Sequence, residues 1–155
     1  MRILFLDDDH RRIDTIRARL ASLPCDLTVV ETADECIAAL AAGTFDLVLL
    51  DHDLGGEIYC DSSREDCGME VVRWLKGHRG EHGGFIVHTM NAIAAAAMYF
   101  DLEAMGYSVV QATFGSPEFF SHLHAMIGLD LPESKQRESI SDRVAKYIRS
   151  LRSGR

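Results

Sequence analysis

Five short apolar runs, separated by segments with helical spacing, constrain the fold of this 155-residue chain more than any other feature. The runs are Ile3–Leu6, Leu27–Val30, Leu47–Leu50, Phe85–His88 and Tyr107–Val110. They are largely continuous rather than alternating, which is typical of strands covered on both faces. Strands that alternate with helices in this way predict βαβ units around a parallel sheet.

The segments between the runs carry start and stop signals for helices. Predicted helix starts are marked by Asp9, by Thr32 with Glu35, by Asp66 or Cys67, by Asn91 and by Pro117. Predicted stops follow at Pro24, Gly43, Gly106 and about Ile127. Because crossovers between parallel strands are right-handed, five such units predict a doubly wound, flavodoxin-like α/β domain with strand order 2-1-3-4-5.

The charge of the chain divides it into two parts. Residues 133–155 hold seven basic and three acidic residues, a net charge of +4, and residues 1–132 hold nine and 21, a net charge of −12. Within the basic part, apolar residues recur at helical spacing: Ile140, Val144, Tyr147, Ile148 and Leu151. We therefore predict an α/β domain at 1–131 and an amphipathic helical extension at 132–155, which packs on the acidic body, a second copy or a partner protein.

Composition excludes several functional classes. The overall charge of −8 makes nucleic acid an unlikely ligand, and no apolar window approaches the roughly 20 residues that span a bilayer. The first apolar run reaches carboxylates too soon for a signal peptide, and four cysteines suit a reducing compartment. We expect a cytoplasmic protein that does not bind membranes.

Acidic residues follow two strands that the predicted order makes neighbours. Strand 1 is followed by Asp7, Asp8 and Asp9, and strand 3 by Asp51, His52 and Asp53. Ligands bind beyond the carboxyl ends of the strands in such sheets. Because clustered carboxylates repel one another, we expect a hard divalent cation, preferably Mg²⁺, to offset them. Its predicted ligands are Asp7, Asp8 and Asp51.

Polar residues at the end of strand 4 face the same crevice. We predict that Thr89 and Asn91 bind phosphate, although Asn91 also suits a helix cap. The predicted catalytic groups are Asp51, Asp53, His52 and His88, with the histidines and Asp53 as candidates for moving a proton. Each histidine has a structural alternative, as a hydrogen-bonded residue at a strand end or one that points to the opposite face.

The strings ILFLDDD and LVLLD, with a hydroxyl residue after strand 4, resemble the receiver domain of two-component response regulators. The resemblance implies that Asp7 and Asp8 match the Mg²⁺-binding acidic pair, Asp51 the phosphoacceptor and Thr89 the hydroxyl that contacts the phosphoryl group. Receivers also carry a lysine just after strand 5. This chain has no lysine there, since the segment reads Gln111-Ala112-Thr113-Phe114-Gly115.

A narrower resemblance is carried by the strings DHDLG at 51–55 and HTMN at 88–91, with Gly68 at a helix start. They are similar to the cyclic-phosphate processing receivers, although Ala92-Ile93-Ala94 departs from the Pro-x-Gly expected after the asparagine. This family implies metal-dependent action on a cyclic phosphate or cyclic nucleotide. The alternative is a phosphoaccepting receiver or pseudo-receiver that signals through partner proteins.

Three further patterns suggest other sites. A zinc site is one interpretation of Cys60, Cys67, His78 and His82. The polar loop Gly55–Asp66 follows the predicted site, and its Arg64 is a candidate for replacing the missing lysine. The Asp-x-Asp at 51–53 also resembles the nucleophile motif of haloacid-dehalogenase-type phosphatases, which lies after the first strand in that fold.

Overall fold

Five parallel strands form the centre of the structure, a computed structural model that describes residues 1–128. The strands are β1 (Arg2–Leu6), β2 (Asp26–Val30), β3 (Leu47–Leu50), β4 (Gly84–Val87) and β5 (Ser108–Gln111). The helices are α1 (His10–Leu20), α2 (Ala33–Ala42), α3 (Gly68–Gly77), α4 (Ala92–Ala104) and α5 (Pro117–Met126). The strand order is β2-β1-β3-β4-β5, which confirms the predicted flavodoxin-like fold.

Helices cover the sheet on both faces. Side chains of Leu4 and Leu6 pack with α2, α3 and α4, whereas Ile3 and Phe5 pack with α1 and α5. This division follows from the alternation of side chains along a strand. The central strands β1, β3 and β4 are almost wholly buried, while β2 and β5 are half-buried because they are edges.

The predicted helix starts are confirmed at their caps. The side chain of Asp9 accepts the backbone N–H of Arg11 at 2.8 Å, and Asn91 accepts that of Ala94 at 3.1 Å. Thr32 accepts the N–H of Glu35, and Pro117 opens α5 after the cap Ser116. The third helix begins after Cys67, the second of its two predicted starts.

The ends of several strands differ by one residue from the predicted ends, because the pairing with a neighbouring strand sets where each strand stops. The last paired residues of β3 and β4 are Leu50 and Val87, so His88 lies just beyond β4 rather than within it. Its backbone N–H still donates to the carbonyl oxygen of Leu50. This places the His88 side chain at the level of the acidic residues that follow β1 and β3.

Two predictions lie outside the described residues: the domain boundary at 131 and the amphipathic extension at 132–155. Within residues 1–128, no helix has both the length and the apolar character needed to cross a bilayer.

Helix α3 starts directly beneath the backbone that follows β3. The N–H of Gly68 donates to the carbonyl oxygen of His52 at 2.9 Å. A Cβ atom at Gly68 would overlap the carbonyl oxygen of Asp51. Glycine is therefore required here by close approach of two backbones, which explains its position in the sequence motif.

We predict that Gly68→Ala lowers the free energy of unfolding by about 1–3 kcal/mol, because the methyl group forces the backbone at Asp51 to move. Gly77→Ala, at the other end of α3, is the matched control, since a Cβ there meets no atom within 4 Å. Urea unfolding of both variants measures the difference. Equal stability of the two variants would contradict the close-packing argument.

Candidate functional site

The carboxyl ends of the central strands open into a cavity of about 380 Å³. Its wall contains four acidic side chains from the two predicted clusters, together with Arg12, Thr89 and part of the following loop. The lining residues are Asp8, Asp9, Arg12, Asp51, Asp53, Gly56, Glu57, Ile58, Thr89 and Met90. The structure thus brings together most of the predicted site residues at one end of the sheet.

Arg12 occupies the centre of the acidic cluster. Its Nη2 atom lies 2.6 Å from Oδ2 of Asp51 and 2.9 Å from Oδ1 of Asp7. The same atom is 3.8 Å from Oδ1 of Asp8. Burial lowers the pKa of Arg12, but the charges of Asp51 and Asp7 raise it overall, so the guanidinium stays charged. A side chain of the protein therefore offsets part of the clustered negative charge.

Sequence reasoning missed Arg12, which lies in the first turn of α1. The available signal was its spacing, three residues after the helix cap Asp9, which turns its side chain back toward the strand end. The guanidinium also lies 5.9 Å from the ring centre of Phe114, in the segment that follows β5. Where receivers carry a lysine after β5, this chain has an aromatic ring that packs against a cation from α1.

Asp7 and His88 lie behind Arg12, out of contact with the cavity. Both side chains have no solvent exposure, and Nδ1 of His88 is 3.8 Å from Oδ2 of Asp7. The imidazole stacks on Phe5 and meets Phe114 and Phe119 edge-on. Burial raises the pKa of Asp7 to about 7 and lowers that of His88 to about 4. The structure thus encloses His88 in an aromatic cage beside Asp7, away from the cavity wall.

Asp53 connects three segments of the site. Its Oδ1 atom accepts the backbone N–H of Cys60 at 3.0 Å, and the amide of Asn91 lies 3.4 Å away. Its Oδ2 atom accepts the hydroxyl of Thr89 at 3.3 Å. Partial burial raises the pKa of Asp53, but these and other hydrogen bonds, that of His52 foremost, lower it overall. Asp53 is therefore a carboxylate at neutral pH, on the wall of the cavity.

His52 lies on the far side of Asp53 from the cavity. Its Nδ1 atom is 2.7 Å from Oδ1 of Asp53, and its Nε2 atom is 3.0 Å from the hydroxyl of Ser62. The ring is fully buried under the loop that contains Ser62. This arrangement suits a residue that holds Asp53 in place, since the ring nitrogens already have partners.

Thr89 and Asn91 take part in the same network at the end of β4. The Thr89 hydroxyl accepts the N–H of Asn91 while it donates to Asp53. Asn91 uses its oxygen to cap α4 and directs its amide toward Asp53. Of the two roles predicted for Asn91, the helix cap is confirmed, and phosphate binding stays a prediction.

The loop at 55–66 closes over the pocket from the side of Asp8. The N–H of Gly56 donates to Oδ2 of Asp8 at 2.6 Å, and Gly55 and Gly56 have positive φ angles of 74° and 73°. Arg73 of α3 donates to backbone carbonyls of this loop. Arg64 is paired with Glu57 and Asp66 and does not line the cavity. The Arg64 side chain thus pairs within its own loop, not at the phosphate position predicted for it.

The predicted zinc ligands do not converge. His78 stacks on Trp74, and His82 meets Phe85 edge-on. Over residues 1–128, the group of three potential metal ligands with atoms close together is Asp7, Asp51 and His88, within 4.8 Å of one another. Metal-binding geometry is thus found at the acidic pocket and not at the cysteines.

Asp7 and His88 make opposite contributions to the pH dependence of stability. Between pH 4 and 6.5, the folded pair carries one proton, on Asp7, and the unfolded pair also carries one, on the histidine. The contribution of Asp7 to stability is lost as the pH rises through about 7, and that of His88 is lost as the pH falls through about 4. Across the interval the two contributions cancel.

We predict that Asp7→Asn removes the compensating titration of Asp7, so that the effect of His88 on the pH dependence of stability becomes measurable. In this variant the free energy of unfolding should fall by about 3 kcal/mol more than in the wild-type protein as the pH is lowered from 6.5 to 4. Urea unfolding at a series of pH values, with a chelator present, measures the difference. Asp14→Asn, at an exposed acid of α1, is the control, and parallel profiles for Asp7→Asn and the wild type would contradict the prediction.

The sequence profile of the cyclic-phosphate processing receiver domain matches residues 2–104. No curated protein sequence matches the chain.

Solved receiver domains have the same fold. The BeF3-activated receiver domain of Klebsiella pneumoniae RstA is 26% identical, with a TM-score of 0.55 over 82% of this chain and 98% of that one. The non-phosphorylated HemR receiver domain of Leptospira biflexa is 22% identical, with a TM-score of 0.61 over 85% and 98%. Thermotoga maritima TrrA, in complex with Mg²⁺-BeF, is 21% identical, with a TM-score of 0.55 over 81% and 97%. Since the family profile covers more than half of its residues, this chain belongs to the cyclic-phosphate processing receiver domain family.

Proposed function

We propose that this domain hydrolyses a cyclic phosphate with the help of a divalent cation. The observation that carries the proposal is the position of Asp53. Its carboxylate lies on the cavity wall together with that of Asp51 and accepts a hydrogen bond from Thr89. Family membership supports the reaction class through the family's description. The substrate is expected to place its phosphate between the ends of β3 and β4.

The carboxylates fit a divalent cation. Oδ2 of Asp7 is buried without a hydrogen-bond partner in the described residues, and Asp8 and Asp51 line the cavity. Oxygen ligands of this kind suit Mg²⁺ and related ions. A cation held by Asp7, Asp8 and Asp51 would polarise the phosphate oxygens and lower the pKa of a bound water.

Asp53 is the proposed proton acceptor for a water that attacks phosphorus. As the new P–O bond forms, one P–O ester bond of the ring breaks, and the proton taken up by Asp53 can pass to the released ring oxygen. Asp53 is ionised at neutral pH and faces the cavity, whereas His52 and His88 are enclosed. His52 acts through Asp53 as a positioning residue, since its ring nitrogen lies 2.7 Å from the carboxylate. The hydroxyl of Thr89 can turn from Asp53 to a phosphate oxygen, and the Asn91 amide lies next to it.

Electrostatics favour hydrolysis over a stable phosphoryl group on Asp51. A phosphorylated Asp51 would bring additional negative charge close to Asp53 and Asp8, while Arg12 is the cation on the cavity wall. Repulsion between unit charges about 4 Å apart is roughly 1 to 4 kcal/mol near a protein surface. A cyclic phosphodiester carries one negative charge, and its hydrolysis gives a phosphomonoester with up to two, so this repulsion aids release of the product.

The test is metal-dependent turnover of 2′,3′-cyclic AMP, 3′,5′-cyclic AMP and a cyclic phosphate without a base. We expect hydrolysis of at least one, abolished by a chelator. Asp53→Asn should lower kcat by about 100-fold or more, because it removes the proton acceptor. Glu65→Gln, at an exposed acid of the loop at 55–66, is the matched control and should keep full activity.

Two outcomes would contradict this assignment. Full activity of Asp53→Asn would exclude Asp53 as the proton acceptor. Absence of turnover with every substrate and cation would exclude hydrolysis itself.

A phosphoaccepting receiver is the second candidate. It is favoured by the position of Asp51 at the end of β3, opposite Thr89, and by the fold shared with receiver domains that bind BeF3. Incubation with acetyl phosphate and Mg²⁺ tests it. A stable mass increase that Asp51→Asn abolishes would favour signalling, and an unmodified chain that turns over cyclic phosphate would favour the enzyme.

A further inference from the structure

The strongest unexplained feature of the pocket is a pair of buried side chains with three polar atoms that have no partners within residues 1–128. In the described residues, Oδ2 of Asp7 and both ring nitrogens of His88 have no hydrogen-bond partner. Neither side chain has solvent exposure. Burying a polar atom without a partner is unfavourable, because the atom loses its hydrogen bonds to water, so a ligand that pairs with both groups would stabilise them.

The distance between these atoms distinguishes two explanations. Nδ1 of His88 and Oδ2 of Asp7 are 3.8 Å apart, too far for a direct hydrogen bond. Two atoms that each bind one metal ion at about 2.1 Å lie at most about 4.2 Å apart. The 3.8 Å separation therefore fits a shared ion. An oxygen of Asp51 brings the set to three ligand atoms within 4.8 Å of one another, so a small rotation of the Asp51 side chain completes the site.

We propose that Asp7, Asp51 and His88 form a binding site for a divalent transition metal ion such as Mn²⁺, and that Arg12 takes its place in the metal-free protein. An imidazole ligand distinguishes this site from one made of carboxylates alone. Mg²⁺ prefers oxygen ligands and keeps its water, whereas imidazole suits later first-row metals such as Fe²⁺, Ni²⁺ and Zn²⁺. Mn²⁺ also accepts carboxylates, so it suits a site with two carboxylates and one imidazole and reports its ligands through its unpaired electrons. The ligand set thus selects the class of ion.

Arg12 explains how the site stays folded without an ion. Its guanidinium pairs with Oδ1 of Asp7 and Oδ2 of Asp51, and it lines the cavity beside Asp51, whereas Asp7 does not reach the cavity wall. It neutralises one charge but leaves Oδ2 of Asp7 unpaired. An ion that enters from the cavity must displace this side chain, which then becomes available to a phosphate.

This inference deepens the proposed function, since it concerns the cation site of the same pocket and rests on that function for the substrate. Its test uses Mn²⁺ alone, without substrate. A protein that binds Mn²⁺ through His88 but hydrolyses no cyclic phosphate would overturn the proposed function and support the metal site. Hydrolysis of a cyclic phosphate with a bound cation that has no nitrogen ligand would support the proposed function and overturn the metal site with His88.

The experiment is titration of the metal-stripped full-length chain with Mn²⁺, followed by electron paramagnetic resonance. We expect one Mn²⁺ per chain, bound at least about tenfold more tightly than Mg²⁺. Pulsed spectra should show the coupling of a directly bound imidazole nitrogen. The wild-type spectrum is sufficient to decide, so the test does not depend on whether any variant folds.

Three variants sharpen the result. His88→Phe fills the aromatic cage and should remove the nitrogen coupling and weaken Mn²⁺ binding tenfold or more. His82→Phe is the matched control, because His82 is also buried with an unpartnered ring nitrogen but lies outside the cluster. Arg12→Met should bind Mn²⁺ more tightly than the wild type does, since no side chain competes with the ion.

Three results would overturn the proposal. Mn²⁺ bound without nitrogen coupling would show that carboxylates alone hold the ion. Equal affinity for Mn²⁺ and Mg²⁺ would remove the selective role of His88. A chain that binds no metal would show that Arg12 is the permanent cation of the pocket.

Discussion

Carboxylates that end neighbouring parallel strands are brought together by the sheet itself, and folding must offset their repulsion. The register of β1 and β3 places Leu6 beside Leu50, so the residues that follow, Asp7 and Asp51, meet at the same edge. In this structure the guanidinium of Arg12 bridges them. That ion pair joins α1 to the ends of β1 and β3, next to the buried Asp7 and at the wall of the cavity that Asp51 lines.

A single carboxylate also organises the remaining part of the pocket. Asp53 connects the end of β3, the loop through Cys60 and the end of β4 through Thr89. A change at any one of these segments therefore alters the orientation of the carboxylate on the cavity wall. The shape of the site is set by this network more than by any one strand.

Much of this architecture follows from local sequence. The runs around Leu47–Leu50 and Ile3–Leu6 predict buried strands, and caps such as Asp9 and Asn91 mark helix starts, because these signals act over a few residues. The acids after β1 and β3 could be placed together because parallel strands share one carboxyl edge.

Other features depend on contacts between distant segments. The spacing from Asp9 turns the Arg12 side chain back toward the strand end, but only packing against Phe114 and the acidic pair gives that side chain a place in the pocket. The directions of His52 and His88 likewise depend on the loop at Ser62 and on the aromatic ring of Phe5. Sequence identified these histidines as members of the site but could not tell which face each would occupy.

The cation of this pocket comes from α1, whereas the segment 111–115 after β5 has no lysine, and this placement has an evolutionary consequence. The pocket needs a positive charge, and the fold can supply it from either side of the acidic pair. Loss of Arg12 alone would leave the carboxylates uncompensated, and a second cation beside Phe114 would compete for the same space. These two positions should therefore covary among relatives, so that lineages with a basic residue after β5 are free to lose the one on α1.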